Sequence, residues 1–190
     1  MNNFGAKVDQ FVDIVVNQGG GNKIIEGLQH TLLIAVLGLI IGIVIGTLIA
    51  AVRVVPKYKL LPRVLNGFCS FYVGLFRGTP MVVQLLVFYY VLLPILGVQM
   101  TGVQVSIMVF GLNSGAYISE IMRSGILSVD IGQMEAGRSL GMNYVDTMRF
   151  IIIPQAVKAI LPALGNEFIM IVKDTSLAST FFIGEVMTSY

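Results

Sequence analysis

Long apolar stretches separated by short polar ones set the pattern of this chain. Residues 31–52 carry no charged side chain, and at ~1.5 Å rise per residue such a stretch crosses a ~30 Å hydrocarbon layer. Residues 79–98 are likewise uncharged, 103–127 and 151–172 are largely apolar with two charged residues each, and the four stretches predict four membrane spans. Between 60 and 76 the pattern changes. Arg63, Asn66, Gly67, Ser70, Gly74 and Arg77 recur at helical spacing, which predicts a helix with one polar or small face, lying at or tilted through an interface. Arg77-Gly78-Thr79-Pro80 ends it, because glycine is permissive and proline suits the first turn of a new helix.

Composition agrees with this reading. Apolar residues make up 56% of the chain and charged residues 12%, and the mean hydropathy is +0.87, so the expected fold class is an all-α, polytopic membrane helix bundle forming a single domain. Residues 1–27 lack the layout of a secretory signal: they carry Asp9, Asp13 and Glu26 and three consecutive glycines, so the first apolar run is expected to be a retained span. Arg53, Lys57, Lys59 and Arg63 follow that span with no acidic residue among them. The positive-inside bias places this loop in the cytoplasm, which puts the N-terminal segment 1–27 outside and residues 128–150 inside. Cys69 and His30 are each the only residue of their type, so the expectation is no intrachain disulfide, no metal site and a structural role for both.

The loop between the third and fourth spans is unusual. EAGRSLGMNYVDTMRFIIIPQ, residues 135–155, interrupts the apolar pattern with polar residues and glycines. Asp130 is a candidate cap for a short helix with Glu135 in its first turn, a favourable sign for the helix dipole. Gly141 stops that helix, and Asn143 caps a second one with Asp146 in the manner of a capping box. The result is a projecting knuckle with Leu140, Met142, Tyr144 and Val145 at its tip.

Glu135-Ala136-Gly137, then Gly141, then Ile151-x-Ile153-Pro154 resembles the coupling-loop signature of ABC-importer permeases, which runs E-A-A, three residues, G, nine residues, I-x-L-P. Gly137 stands for alanine and Ile153 for leucine, with the spacing intact. Phe76-Arg77-Gly78-Thr79-Pro80 ahead of Gln84, Ala116-Tyr117 with Glu120 and Arg123, and Lys173-Asp174-Thr175-Ser176-Leu177 after Asn166-Glu167 resemble the polar-amino-acid branch of that family. The resemblance covers about residues 25–190. It implies a permease in the cytoplasmic membrane, paired with a second permease subunit, two cytoplasmic ATPases and an extracellular or periplasmic amino-acid-binding protein. It further implies that Glu135, Ala136, Gly137, Leu140, Gly141 and Tyr144 dock the ATPase, with Gly141 permitting close backbone approach. The family carries a fifth span, for which FFIGEVMTSY after residue 180 is too short.

Ionisable groups inside spans are costly and need a reason. Asn113, Tyr117, Glu120 and Ser124 fall on one helical face, and Gln155, Pro162, Asn166 and Lys173 form a second stripe with Glu167 and Asp174 beside it. Asn113, Tyr117, Asn166, Glu167, Lys173 and Asp174 are the candidate lining of a route for a polar amino acid, whose carboxylate and ammonium call for groups of both signs. Two alternatives stand beside this: Glu120 and Arg123 pair with each other or with the knuckle, and Lys173 and Asp174 secure the end of their span. Gly38, Gly42 and Gly46 make a small-xxx-small ridge, predicted to meet a second permease subunit, with packing inside the chain as the alternative.

No Walker-type or dinucleotide loop and no nucleophile–base arrangement is present in the sequence, so an enzyme is not expected, and ATP and Mg would be held by the partner ATPase. No nucleic-acid partner is expected. Two rival classes are half of an ion-coupled secondary transporter, using Glu120 or Glu167 as a proton site, and a membrane assembly subunit without transport activity.

Overall fold

The computed structural model of the protein describes residues 3–13, 16, 20–55 and 60–187, with side chains followed as far as residue 177. Lys57 and Lys59, used above to orient the chain, lie outside the described residues. Among those described every regular element is helical: α1 Asn3–Val12, α2 Gly20–Val54, α3 Leu60–Gly78, α4 Met81–Val87, α5 Leu93–Leu96, α6 Gly102–Leu127, α7 Ile131–Ser139, α8 Tyr144–Thr147 and α9 Ile153–Met187, with π turns at Phe88–Leu92 and Met148–Ile152. Ile25–Val54, Gly102–Leu127 and Tyr144–Leu177 are long and apolar enough to cross a membrane, and α3 with the 81–96 rod forms a fourth candidate bent by 106°.

The core is the seam between α2 and α6, and its closeness comes from glycine. A Cβ on Gly42 would lie 2.7 Å from the Ser114 Cβ, and one on Gly46 would lie 2.8 Å from the Ile118 Cγ2 and 3.0 Å from the Ser119 backbone nitrogen. Gly38 faces Phe110 and Gly111. The fit is reciprocal, since Ile41 and Ile45 of α2 occupy the space beside Gly111 and Gly115 of α6. Expectation and structure differ here: the Gly38, Gly42, Gly46 ridge meets α6 of its own chain, not a second subunit. In a bilayer, where apolar side chains gain little by leaving lipid, close backbone approach of this kind supplies the dispersion contact that holds helices together. Gly46→Leu is therefore expected to cost about 1–3 kcal/mol by overpacking. A thermal-unfolding scan in detergent checks it against Gly27→Leu, whose Cβ would meet nothing within 4 Å and which is expected to melt as the parent does.

The second predicted span, 79–98, is shorter in the structure. Pro80 is the extended N-cap of α4, with φ −63° and ψ 139°, and Gly97 closes α5 at φ +67°. The Val98 N–H reaches the Leu93 carbonyl and the Gly97 N–H the Pro94 carbonyl, the paired bonds of a Schellman cap, which needs a left-handed residue. Both π turns end two residues before a proline, Pro94 and Pro154. Proline has no N–H for the carbonyl four residues back, and its ring clashes there. Widening the preceding turn to i→i+5 bonding relieves both problems.

α6 begins at a capping box the sequence reading did not use. The Thr101 hydroxyl accepts from the Gln104 N–H, and the Gln104 side chain accepts from the Thr101 N–H, satisfying two otherwise orphaned donors. The fourth predicted span ended at residue 172, whereas α9 continues as helix to Met187, with Pro162 inside it.

Candidate functional site

Two features stand out, the knuckle at one end of the bundle and a polar cavity between its helices.

The knuckle is stiff because its ends are satisfied locally. Asp130 caps α7 by accepting from the Gly132 N–H at 2.7 Å. Glu135 falls beyond the first turn, which carries no acidic residue, so the expected dipole contribution is corrected. Gly141, at φ +82°, ends the helix in a second Schellman cap: its N–H donates to the Arg138 carbonyl, and the Met142 N–H donates to the Gly137 carbonyl at 3.1 Å. Asn143 caps α8 by accepting from the Asp146 N–H at 2.9 Å, while its amide donates to the Asp146 carboxylate at 2.6 Å. That variant of the capping box uses the cap's side chain where the usual one uses its backbone.

The glycine that lets helices approach in the knuckle is Gly137. A Cβ there would lie 2.7 Å from the Thr147 Cγ2, so α7 folds directly onto α8 and its π turn, and Thr147 is fully buried. A Cβ on Gly141 would meet nothing within 4 Å, so backbone handedness is the requirement there. Glu135 and Ala136 are exposed. Leu140 is 82% and Val145 68% exposed, with Tyr144 half-buried beside them, so the tip is apolar and uncovered.

The cavity, about 440 Å³, is lined by Arg77, Thr79 and Met81 from the α3–α4 break, Asn113, Ser114 and Tyr117 from α6, and Glu167, Met170, Ile171 and Asp174 from α9. Four of the six sequence candidates meet here: Asn113, Tyr117, Glu167 and Asp174. Glu167 is only 6% exposed. Asn166 and Lys173 are exposed and turned away from this cavity, so the structure does not bring them together with the other four. The cation opposite Glu167 and Asp174 is Arg77, whose guanidinium lies 5.1 Å from the centre of the Tyr117 ring, close enough for cation–π attraction. Arg77 was legible, because a charged residue at a helix break inside an apolar segment is where discontinuous membrane helices bind polar ligands.

Glu120 faces elsewhere. Its carboxylate pairs with Arg53 at the end of α2, with Arg123 at 3.7 Å and with Arg77 at 4.0 Å. One carboxylate thus ties α2, α6 and the α3–α4 break, and Ser124 is exposed outside the cavity. Three guanidiniums around one carboxylate leave positive charge in excess at this place, and Arg77 faces both the cluster and the cavity.

Residues 38–189 match the family described as binding-protein-dependent transport system inner membrane component. The chain belongs to that family. The arginine transport system permease protein ArtQ of Bacillus subtilis is 38% identical over 164 residues, covering 86% of this chain and 73% of that protein. The L-cystine transport system permease protein TcyB of the same organism is 39% identical over 160 residues, covering 84% of this chain and 66% of that protein. Among solved structures, an amino acid ABC transporter described with histidines superposes with a TM-score of 0.79 at 39% identity, over 90% of this permease and 77% of that chain. The knuckle motif and the all-helical fold are thus those of an ABC-transporter permease of the amino-acid kind.

Proposed function

We propose that this permease is the transmembrane subunit of an ATP-driven importer that carries a polar amino acid across the cytoplasmic membrane by alternating access. The observation that carries the reading is the knuckle: two short helices, each capped at its N-terminus by a side chain and the first closed at its C-terminus by a Schellman cap, lying between α6 and α9, with an apolar tip that nothing among the described residues covers. A stiff lever with an uncovered apolar end suits transmission of force from another protein, and an ion-coupled carrier has no use for it. The lever is gripped by two cytoplasmic ATPases, which hold ATP and Mg. A second permease, identical or homologous, completes the pair, and a binding protein delivers solute outside. The N-terminal segment is outside, in keeping with Arg53 and the knuckle lying toward the same end of the bundle, where Val54, Val55, Tyr144 and Val145 line one groove. ATP binding draws the knuckles together and the helix bundles rock about the solute route.

The cavity is the solute site in this reading. Its volume falls in the range of small-molecule pockets. Arg77 supplies the partner for an α-carboxylate, and Glu167 with Asp174 supplies partners for an ammonium or a cationic side chain. Solute uptake in vesicles separates this from the ion-coupled alternative, in which buried Glu167 would carry a proton. The expected result is uptake by the assembled transporter that requires internal ATP and survives collapse of the proton gradient. Uptake driven by the gradient without ATP would overturn the reading.

A further inference from the structure

The α3–α4 break is held by side chains where the backbone fails. In an unbroken helix the Phe76 carbonyl would accept from the N–H four residues on, but that residue is Pro80, which has none. Two carboxamides replace the missing donor: Gln84 Nε2 donates to the Phe76 carbonyl at 2.8 Å, and Asn113 Nδ2 donates to it at 3.2 Å. Gln84 Nε2 also reaches the Thr79 carbonyl at 3.0 Å and the Thr79 hydroxyl at 2.9 Å, while its Oε1 accepts from Asn113 Nδ2 at 3.0 Å. Gln84 is 6% and Asn113 9% exposed. A buried network this fully satisfied fixes one arrangement, because every alternative leaves a polar group unpaired in a low-dielectric setting.

The geometry assigns Gln84 as a positioning residue for solute binding: through its carboxamide it fixes the cavity wall that carries Arg77 against the α6 wall that carries Asn113 and Tyr117. Gln84 is not part of the cavity lining, so it acts only through these neighbours. The chemistry requires glutamine. Its planar end must donate to the α3–α4 break and accept from α6 at once, and only the amide does both at this length. Glutamate has the same shape but turns the donating nitrogen into an acceptor facing two carbonyls. Methionine keeps the length and removes the hydrogen bonds. This inference rests on the cavity being the solute site, and its test separates the two.

The experiment uses the permease assembled with its ATPase in nanodiscs, with radiolabelled L-arginine and L-glutamine as probes, and compares the parent with Gln84→Glu, Gln84→Met and Glu167→Gln. Spin labels at the exposed Leu75 and Leu127 positions report the distance between the end of α3 and α6. Gln84→Glu and Gln84→Met are expected to weaken binding about ten-fold or more and to broaden the 75–127 distance distribution. Parent-like binding in the Gln84 variants, with Glu167→Gln impaired, overturns the positioning role and leaves the cavity reading intact. Parent-like binding in Glu167→Gln removes the cavity reading and this inference with it. If Gln84→Glu does not assemble, Gln84→Met carries both readouts by the same criteria, and an unbroadened distance distribution counts against the proposal.

Discussion

Glu167→Gln is expected to abolish uptake while leaving the permease assembled with its ATPase. The substitution keeps size and shape and removes one charge. Glu167 is 6% exposed and faces Arg77, Tyr117 and Asp174 across the cavity. A carboxylate kept there against its desolvation cost must be compensated by partners, and in the proposed reading an incoming ammonium is one of them. Truncating one partner of a buried, hydrogen-bonded charge pair typically costs about 2–5 kcal/mol, which is roughly 30-fold or more in affinity. Asp174, less deeply buried at the edge of the same cavity, is expected to give a smaller loss as Asp174→Asn. Equilibrium binding of labelled amino acid to the purified complex, together with uptake in reconstituted vesicles, checks both. Co-purification of the ATPase serves as the control, since the Glu167 side chain touches no part of the knuckle. Full uptake by Glu167→Gln would remove the cavity from the route.

The order of helices, the knuckle and the break at Arg77–Pro80 were legible because each rests on local chemistry: an uncharged run, a capping side chain, a proline without a donor. What failed were choices between faces. On α9 two polar stripes lie side by side, Asn166 with Lys173 and Glu167 with Asp174, and polarity alone does not say which one turns inward. The buried positions Ala156, Ile160, Glu167, Ile171 and Thr175 follow helical spacing and mark the inward face, with Glu167 among them and Asn166 off it. The partner of the glycine ridge was likewise readable in retrospect, since Gly111 and Gly115 of α6 form a matching small-residue pair in the same chain. A ridge of glycines says that something comes close; only a complementary pattern says what. Glu120 shows the limit of local reasoning. Arg123 is its near neighbour in sequence, yet Arg53 and Arg77 also reach it, and no periodicity predicts a contact between three helices.

Gly141→Val is expected to release the ATPase, and Gly141→Asn to retain it. Nothing lies within 4 Å of a Cβ at this position, so the two variants differ from glycine in backbone preference and not in crowding. At φ +82° a β-branched residue is a genuine outlier, whereas asparagine visits the left-handed region readily. Strain of about 1–3 kcal/mol is comparable with the roughly 1–3 kcal/mol that the two bonds of the Schellman cap contribute, so valine loosens the end of α7 and re-aims Leu140 and Tyr144 relative to Glu135. An apolar tip gripped in a cleft loses complementarity when its backbone turns, and a change of this size corresponds to about ten-fold or more in affinity. Detergent-solubilised complexes carrying each variant, pulled down on the permease and probed for the ATPase, give the answer. Glu135→Lys, which leaves the cap untouched and reverses an exposed charge of the knuckle, is expected to weaken the complex by another route. Retention of the ATPase by both Gly141→Val and Glu135→Lys would place the grip elsewhere on the permease, and with it the lever proposed above.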